Sequence, residues 1–298
     1  MNGHSIAAAI VNYNGGLHLL DCVASLRAEG IDDIVVADNG STDRSLAELT
    51  RADPEAGAAI VRCGRNLGYG GGANRAAAAL RPPPDALLVC NPDTIVHPGT
   101  VKALAAALDA APRLGIVGPR LENTDGTTYP SARSFPALGD AIGHAFLGLV
   151  APDNRYSRHY KMLDRGHTEA GRVDWVSGAC FLIRWSCWEQ LDGFDETYFM
   201  YMEDVDLSWR AHQKGWSVAF EPSGWVTHVQ GTATSLHPYR MILAHHRSML
   251  RFAYRTTTGG RRALIPVMAV GLALRAGFAC FSHCRAGRRR RRDEVPVR

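Results

Sequence analysis

The chain has 298 residues, of which 46% are hydrophobic, and its formal net charge is +4. This length allows one large domain or two smaller ones, with room for a sizeable core. Residues 285–298 hold seven arginines against Asp293 and Glu294, so the rest of the chain is close to neutral. A basic tail on a near-neutral body argues against nucleic acid as a partner and favours an anionic membrane surface or acidic partners.

The seven cysteines are scattered along the chain and form no CxxC pair, which is typical of reduced thiols in the cytosol. The first residues lack a basic region followed by a long apolar stretch, so the sequence predicts no signal peptide. We therefore expect a cytoplasmic protein whose cysteines are small buried hydrophobic residues.

Short apolar runs alternate with helical segments in the first 120 residues. The predicted strands cover residues 5–11, 34–37, 58–62, 86–90 and 114–118. A strand about every 25 residues, with a helix between, is typical of a parallel sheet that carries helices on both faces. Asn14 is predicted to cap the first helix, and Thr42 or Asp43 the second.

Polar side chains follow three of these strands, at Asn12, at Asp38 and at Asn91 to Asp93. Open α/β sheets bind ligands at the carboxyl ends of their strands, so these residues predict a nucleotide pocket. A hard divalent cation that bridges two phosphates needs an oxygen ligand there, and Asp93 could supply it. An ordinary polar turn from strand to helix would explain the same residues.

The alternating pattern ends after the fifth strand, and the composition of residues 121–172 predicts loops and short helices. A strand is then predicted over 173–184, with an internal glycine that allows close approach of a ligand. Two more strands, over 216–221 and 224–228, end at His228. This histidine is either a structural or surface residue or a metal ligand.

Three carboxylates crowd the start of a predicted helix, at Glu203, Asp204 and Asp206. Acidic residues stabilise a helix N-terminus, and Asp206 can pair with Arg210 one turn later. Capping does not require so many acids, so Glu203 and Asp204 are predicted to face a cleft. Asp204, close to the helix N-terminus, is expected to stay ionised at neutral pH.

The last third of the chain is predicted to be helical. A helix over 239–254 precedes an apolar run over 263–274, which Pro266 and Gly271 interrupt. About 20 apolar residues are needed to span a bilayer, so this run is short, although a span that extends to residue 284 stays open. We expect an in-plane or packed helix with a basic anchor, peripherally associated with the cytoplasmic membrane.

Seven motifs follow one another between residues 5 and 228: AIVNYN, VVADNGSTD, RNLGYGGGANR, LLVCNPDT, VSGACFLIR, GFDETYFMYMEDVDLSWR and WVTH. Together they resemble the family 2 glycosyltransferases, inverting enzymes that use nucleotide sugars and have a GT-A fold. The subgroup they resemble comprises rhamnosyltransferases that act on lipid-linked polysaccharide precursors, the mycobacterial linker-unit type among them. The resemblance implies an α/β fold with a Rossmann-like, mostly parallel sheet flanked by helices and a C-terminal helical extension.

The resemblance also implies a role for individual residues. The nucleotide-binding residues would be Asn12, Tyr13, Asp38, Asn66, Gly68 and Asn91. Trp175 and Gly178 would border the acceptor pocket. Asp204 would be the catalytic base, and Glu203 is the next candidate for that role.

Asp93 and His228 would hold Mg²⁺ or Mn²⁺ on the donor diphosphate in such an enzyme. Asn91 stands at the first position of the family's D-x-D motif, which leaves one anionic ligand within the motif. Inverting transfer is a single displacement, in which a carboxylate takes the acceptor proton while a metal ion neutralises the leaving diphosphate. Asp204 and Asp93 would fill these two roles on opposite sides of the sugar.

The implied domains are a glycosyltransferase domain over 1–235 and a helical, membrane-associating region with a basic tail over 236–298. Within the first domain, 1–120 would bind the nucleotide sugar and 121–235 would supply the acceptor and catalytic half. The expected donor is dTDP-rhamnose, with a UDP-hexose as the alternative. The expected acceptor is a saccharide linked to polyprenyl diphosphate in cell-wall or polysaccharide synthesis.

Two functions of other classes stay open from the sequence. The residues Gly68-x-Gly70-x-x-Ala73 match the dinucleotide fingerprint of an NAD-dependent oxidoreductase, although they follow the third strand instead of the first. The other function is a non-catalytic nucleotide-binding protein that kept the fold.

Overall fold

The computed structural model describes residues 5–52, 57–135, 169–229 and 238–293, with side chains up to residue 284. The first elements alternate as predicted: β1 (Ile6–Asn12), α1 (His18–Ala28), β2 (Ile34–Asp38), α2 (Ser45–Ala52), β3 (Ala59–Arg62), α3 (Gly68–Ala79), β4 (Ala86–Cys90), β5 (Thr94–Val96), α4 (Thr100–Ala110) and β6 (Leu114–Glu122). The loops and short helices predicted over 121–172 fall mostly on residues outside this description.

Of the next elements, two short strands precede residues 136–168 and the others follow them. They are β7 (Thr128–Tyr129), β8 (Ala132–Arg133), β9 (Gly171–Val173), β10 (Trp175–Val176), β11 (Cys180–Arg184), α5 (Trp185–Leu191), α6 (Glu203–Gln213) and β12 (Ser217–His228). The single strand predicted over 173–184 is therefore wrong, because the chain leaves the ladder between β10 and β11. The two strands predicted over 216–228 form one strand, β12, whose register shifts between Glu221 and Trp225.

A ten-stranded sheet confirms the α/β class, and its main path runs β3-β2-β1-β4-β11-β6-β12-β5. Strands β3, β2, β1 and β4 pair in parallel, as do β6 and β12. Strand β11 runs antiparallel to both of its neighbours, β4 and β6. Four of the seven pairings along the main path are parallel, which confirms the mostly parallel sheet that the resemblance implied.

The antiparallel strand brings distant parts of the chain to one edge of the sheet. Cys180, the first residue of β11, pairs with Cys90, the last residue of β4. The Asn91 amide N–H continues this ladder by donating to the Ala179 carbonyl at 2.9 Å. The loop that precedes β11 therefore lies beside the residues that follow β4.

Buried apolar residues on β1, β2, β4 and β6 form the core with α1 and α4. The five residues of β4 are all buried, as a strand covered on both faces requires. The predicted Asn14 cap of α1 is wrong, because the N-cap residue is Leu17, three residues later, and it makes no side-chain capping hydrogen bond. Asn14 Oδ1 instead accepts hydrogen bonds from the Thr42 and Asp43 amides.

The chain divides into two compact units, one of residues 1–199 and 203–233 and one of residues 200–202 and 234–298. The second unit contains α7 (Pro238–Thr256), a 3₁₀ helix (Gly259–Leu264) and α8 (Ile265–Asp293). Pro266 does not interrupt α8, because a proline in the first helical turn has no intrahelical bond to lose. By length and composition, the segment Gly259–Cys284 meets the requirement for a bilayer-crossing helix.

Candidate active site

The ends of β1 and β2 lie side by side, since Asn12 pairs with Asp38 in the parallel ladder. Asn12 is fully buried, and its side-chain amide donates to the Ser41 and Ser45 hydroxyls, both at 3.0 Å. Its Oδ1 accepts from the Gly15 amide at 3.2 Å. The Asn12 side chain is thus hydrogen-bonded within the protein through both its donor and its acceptor.

Asp38 and Asn39 are also buried at this edge. Asp38 Oδ1 accepts a hydrogen bond from the Ser41 amide at 3.2 Å. Asn39 donates to the Gly68 carbonyl at 2.8 Å, while its Oδ1 is buried without a hydrogen-bond partner. The sequence analysis did not single out Asn39, and its place directly after Asp38 was the available signal. Tyr13, the other residue predicted here, is half-buried.

The glycines of α3 are explained by close packing. A Cβ at Gly68 would lie 2.1 Å from the Phe199 carbonyl oxygen, and its φ of +82° itself favours glycine. A Cβ at Gly72 would lie 2.5 Å from a Val11 methyl carbon, and one at Gly70 would lie 2.8 Å from Phe194 Cβ. At each of these glycines, the missing side chain leaves room for atoms of a neighbouring residue. This packing explains their spacing without a bound dinucleotide.

The residues after β4 meet the end of β12. His228 pairs with Thr94 across the antiparallel β12–β5 ladder, which places the imidazole beside Asp93. His228 Nε2 lies 3.3 Å from Asp93 Oδ1 and 3.2 Å from Asn91 Nδ2. His228 Nδ1 is buried, and no atom in the described part of the chain hydrogen-bonds to it. The fold thus brings the two predicted metal ligands, Asp93 and His228, together with Asn91, the first residue of the predicted D-x-D motif.

The two acids at the start of α6 have different environments. Glu203 is 6% exposed and its Oε2 has no hydrogen-bond partner among the described residues, whereas Asp204 is partly exposed. Asp204 Oδ2 accepts from the Gly178 amide at 2.9 Å, and its Oδ1 accepts from the Val205 amide at 2.8 Å. Asp204 is the acid of this pair that solvent and a ligand can reach.

Burial raises the pKa of both carboxyl groups. The pKa of Glu203 rises well above its usual value, because of burial and then the negative charge of Asp204. Burial also raises the pKa of Asp204, although the Gly178 and Val205 amides and the Arg133 charge act to lower it. The sequence analysis had considered only the helix N-terminus, which favours the charged form, and not the desolvation that disfavours it.

Asp206, the third acid of the cluster, has a structural partner. It is fully buried, its Oδ2 lies 2.7 Å from Arg210 Nε, and its Oδ1 accepts from the Tyr198 hydroxyl at 3.3 Å. The predicted pairing of Asp206 with Arg210 is confirmed.

Tyr69 links the glycine-rich helix to the loop before β11. Its hydroxyl donates to the Gly178 carbonyl at 2.5 Å, and the Gly178 amide in turn binds Asp204. Burial raises the pKa of Tyr69, so the phenol keeps the proton that it donates. A Cβ at Gly178 would lie 3.2 Å from Asp204 Cβ, so this contact favours glycine.

Arg133 is a cation near this site that the sequence analysis missed, since nothing in the pattern around it predicts its position. It pairs with Trp175 across the β8–β10 ladder, and its guanidinium lies 5.1 Å from the Trp175 ring centroid and 5.6 Å from that of Tyr129. The Tyr129 ring packs edge-to-face on His228 at 6.2 Å. Trp175, predicted to border the acceptor pocket, is buried and donates to the Ser134 carbonyl.

A short path of hydrogen bonds connects the surroundings of Asp93 with Asp204. Asn91, next to the Asp93 group, donates to Ala179, and the adjacent residue Gly178 donates to Asp204. Asp93 and Asp204 therefore lie at the same edge of the sheet, although they are far apart in sequence.

Comparisons with known proteins were made by family, by sequence and by fold. A sequence profile of the family described as "Glycosyltransferase like family 2" matches residues 4–249. The N-acetylglucosaminyl-diphospho-decaprenol L-rhamnosyltransferase of Mycobacterium tuberculosis is 37% identical over 293 residues, which cover 94% of this chain and 94% of that protein. The matched region thus extends through nearly the whole of both proteins.

Solved structures resemble this fold at low sequence identity. A mannosyltransferase from Pyrobaculum calidifontis, in complex with GDP-Man and Mn²⁺, has a TM-score of 0.58 at 13% identity, covering 96% of this chain and 76% of that chain. Staphylococcus aureus TarS 1–349, in complex with UDP, has a TM-score of 0.55 at 13% identity, covering 90% and 70%. These similarities confirm the predicted GT-A fold.

Proposed function

Since the chain belongs to the glycosyltransferase family 2, we propose that it transfers L-rhamnose from dTDP-rhamnose to a hydroxyl of a polyprenyl-diphosphate-linked saccharide. The convergence of Asp204 with the group Asn91, Asp93 and His228 at one sheet edge carries the proposal for the reaction. The name of the mycobacterial relative, which covers 94% of the chain, supports the sugar and the lipid acceptor. Such a step belongs to cell-wall or polysaccharide synthesis.

Asp204 is the proposed base of a single displacement with inversion. Its carboxylate takes the proton of the acceptor hydroxyl while the acceptor oxygen bonds to the anomeric carbon and the bond to the donor diphosphate breaks. The hydrogen bonds from the Gly178 and Val205 amides orient the carboxylate. Partial exposure favours Asp204 over Glu203, which is buried.

Asp93, His228 and Asn91 form the proposed cation site, and their chemistry fits Mg²⁺ or Mn²⁺. If Nε2 of His228 accepts from the Asn91 amide, its lone pair also faces the Asp93 carboxylate 3.3 Å away. An imidazole nitrogen and a carboxylate oxygen are both ligand types that such cations accept. When bound, the metal ion would neutralise the charge that grows on the leaving diphosphate.

The cation would need further ligands beyond those that the described residues supply. Among the described residues, no group of three or more His, Cys, Asp or Glu side chains converges. Mg²⁺ usually keeps several waters and shares its site with substrate phosphates, so a protein site with few ligands is consistent with this role.

The other site residues are proposed to bind the nucleotide or to border the acceptor. The proposed nucleotide-binding residues are Asn12, Tyr13, Asp38, Asn66, Gly68 and Asn91. For Asn12, the contact would be through backbone and shape, because its side chain is hydrogen-bonded internally. Trp175 and Gly178 are the proposed acceptor border, with Trp175 supporting Arg133 through its ring.

The second unit is proposed to associate peripherally with the cytoplasmic face of an anionic membrane. Exposed apolar residues recur every three or four positions on or next to α8, at Leu264, Val267, Val270, Leu274, Phe278 and Phe281. This spacing forms one helical stripe, and the arginines of 285–298 follow it in the sequence. Removal of 285–298 should weaken sedimentation with anionic vesicles in a salt-sensitive way, and unchanged sedimentation at all salt concentrations would contradict the anchor.

A donor panel tests the reaction. The purified chain is incubated with Mn²⁺ and polyprenyl-diphosphate N-acetylglucosamine, and with dTDP-rhamnose, UDP-galactose, UDP-glucose or UDP-N-acetylglucosamine. We expect a rhamnosylated lipid from dTDP-rhamnose, and loss of product when the cation is chelated. A UDP-hexose that reacts faster would overturn the donor assignment, and turnover of no donor would favour a non-catalytic binding protein.

A further inference from the structure

The backbone directly before α6 is in an unfavourable conformation. Tyr201 and Met202 have φ values of +66° and +67°, which place two consecutive non-glycine residues in the left-handed region. Such residues are uncommon even singly, because Cβ crowds the backbone there, and they persist only where surrounding contacts hold them. The next two residues along the chain are Glu203 and Asp204.

The contacts that hold this segment come from α7. The Ser248 hydroxyl is buried, with the residue 5% exposed, and donates to the Met200 carbonyl at 3.0 Å. The Tyr201 ring packs edge-to-face on His245 with 5.1 Å between ring centroids. Residues 200–202 belong to the same compact unit as α7, although 199 and 203 belong to the other.

We propose that Ser248 and His245 are positioning residues that hold residues 200–202 in the left-handed conformation and thereby set the direction of the Asp204 carboxylate. The inference rests on the proposed role of Asp204 as the base. The first residues of α6 take their orientation from the backbone turn that precedes them. If residues 200–202 relax to an ordinary conformation, the Asp204 carboxylate leaves the position in which it accepts the hydrogen bond from the Gly178 amide.

A displacement of this kind has a recognisable kinetic effect. A shift of about 1 Å in a reacting group costs up to about a hundredfold in rate, while binding of the nucleotide depends on other residues. Loss of a positioning contact therefore lowers kcat and leaves nucleotide affinity unchanged. General destabilisation of the protein would instead lower both in proportion to the folded fraction.

The principal test compares hydroxyl deletions on α7. Ser248→Ala removes the bond to Met200, and Ser248→Thr keeps a hydroxyl at the same position. Thr256→Ala is the matched control, because the Thr256 hydroxyl donates to Phe252 within the same helix and does not reach residues 200–202. For each variant, kcat is measured with donor and lipid acceptor, the Kd of the nucleoside diphosphate by calorimetry, and Tm by scanning calorimetry.

We expect Ser248→Ala to lower kcat by about ten- to a hundredfold with an unchanged Kd, and Ser248→Thr to regain most of the loss. Thr256→Ala should behave as the unmodified chain. A wild-type kcat in Ser248→Ala would overturn the inference, and so would parallel losses of kcat and nucleotide affinity.

A second pair of variants keeps the inference testable if Ser248→Ala does not fold. His245→Ala removes the ring that faces Tyr201, and His245→Phe keeps an aromatic ring there. We expect a lower kcat only in His245→Ala, and equal activities in both would contradict the inference. Asp204→Asn is measured alongside: if it remains active, the proposed base is wrong, whereas an inactive Asp204→Asn with active Ser248→Ala defeats the positioning role alone.

Discussion

The end of β1 and the start of α6 both hold buried polar residues, but the hydrogen bonds of these residues are satisfied to different extents. Asn12, at the end of β1, uses both ends of its amide within the protein. Glu203, at the start of α6, has a buried oxygen without a partner, and the pKa values of both Glu203 and Asp204 are raised by burial.

This difference separates polar residues that support the fold from those that need a further explanation. A buried polar group with a full set of hydrogen bonds stabilises the structure and needs no ligand. A buried carboxyl that lacks a partner costs stability, and folds tolerate such costs mostly at functional sites. Asn12 is therefore expected to respond to mutation through stability, and Asp204 through activity.

Substitution of the proposed base should have the largest effect on activity. Asp204→Asn keeps the shape but cannot take a proton, so kcat should fall by about a thousandfold. The Kd for the nucleoside diphosphate should stay the same, because this contact lies on the acceptor side. Rates of product formation and calorimetric titration measure the two quantities.

Asp206→Asn is the matched control for Asp204→Asn, since both change an acid in the first turn of α6. Asp206 is buried with Arg210, so its loss should destabilise the protein by about 3–5 kcal/mol. The kcat of the folded fraction should change little. Equal activity losses in the two variants would remove the distinction between Asp204 and its neighbour.

The next largest effect is expected at the proposed cation site. Asp93→Asn removes the carboxylate that lies beside His228. This change should lower kcat/KM by at least about tenfold. Nucleoside diphosphate binding should lose its dependence on Mn²⁺. Calorimetric titrations with Mn²⁺ and with a chelator measure this, and an Asp93→Asn protein that still binds nucleotide only with Mn²⁺ would contradict the assignment.

At the end of β1, we expect a smaller effect, and one on stability instead of activity. Asn12→Ala removes hydrogen bonds to Ser41, Ser45 and Gly15, so the free energy of unfolding should fall by about 2 kcal/mol. Urea denaturation measures this change. A variant of normal stability that binds nucleotide poorly would show that Asn12 contacts the ligand directly, and the comparison between the two regions would fail.

The smallest effect concerns the pH dependence of stability. The pKa of Glu203 in the folded protein lies above its ordinary value of 4.5, so the unfolded chain loses this proton first as the pH rises. Stability therefore falls between the two pKa values, and Glu203→Gln, which cannot titrate, escapes this loss. Its Tm should exceed that of the unmodified chain at pH 7, and the gap should close below pH 4.5. An equal gap at both pH values would exclude a titrating Glu203.

Much of the local structure could be predicted because it depends on neighbouring residues. The apolar run at 86–90 predicted β4 with its observed bounds, since five buried residues before Pro92 allow little else. The Asp206–Arg210 pair followed from helical spacing in the same way. The direction of β11 could not be predicted, because it depends on the side from which the chain returns to the sheet.

The sequence by itself determined the α/β class, the family motifs and the identity of the acids, because these depend on residue type and on short-range spacing. Only the tertiary structure decided which acids meet and in what state. It alone brought Gly178 to Asp204, buried Glu203 and supplied Arg133 from a distant strand. The physical reason is that burial and charge act through space, so a pKa or an unpaired oxygen depends on neighbours that lie far away along the chain.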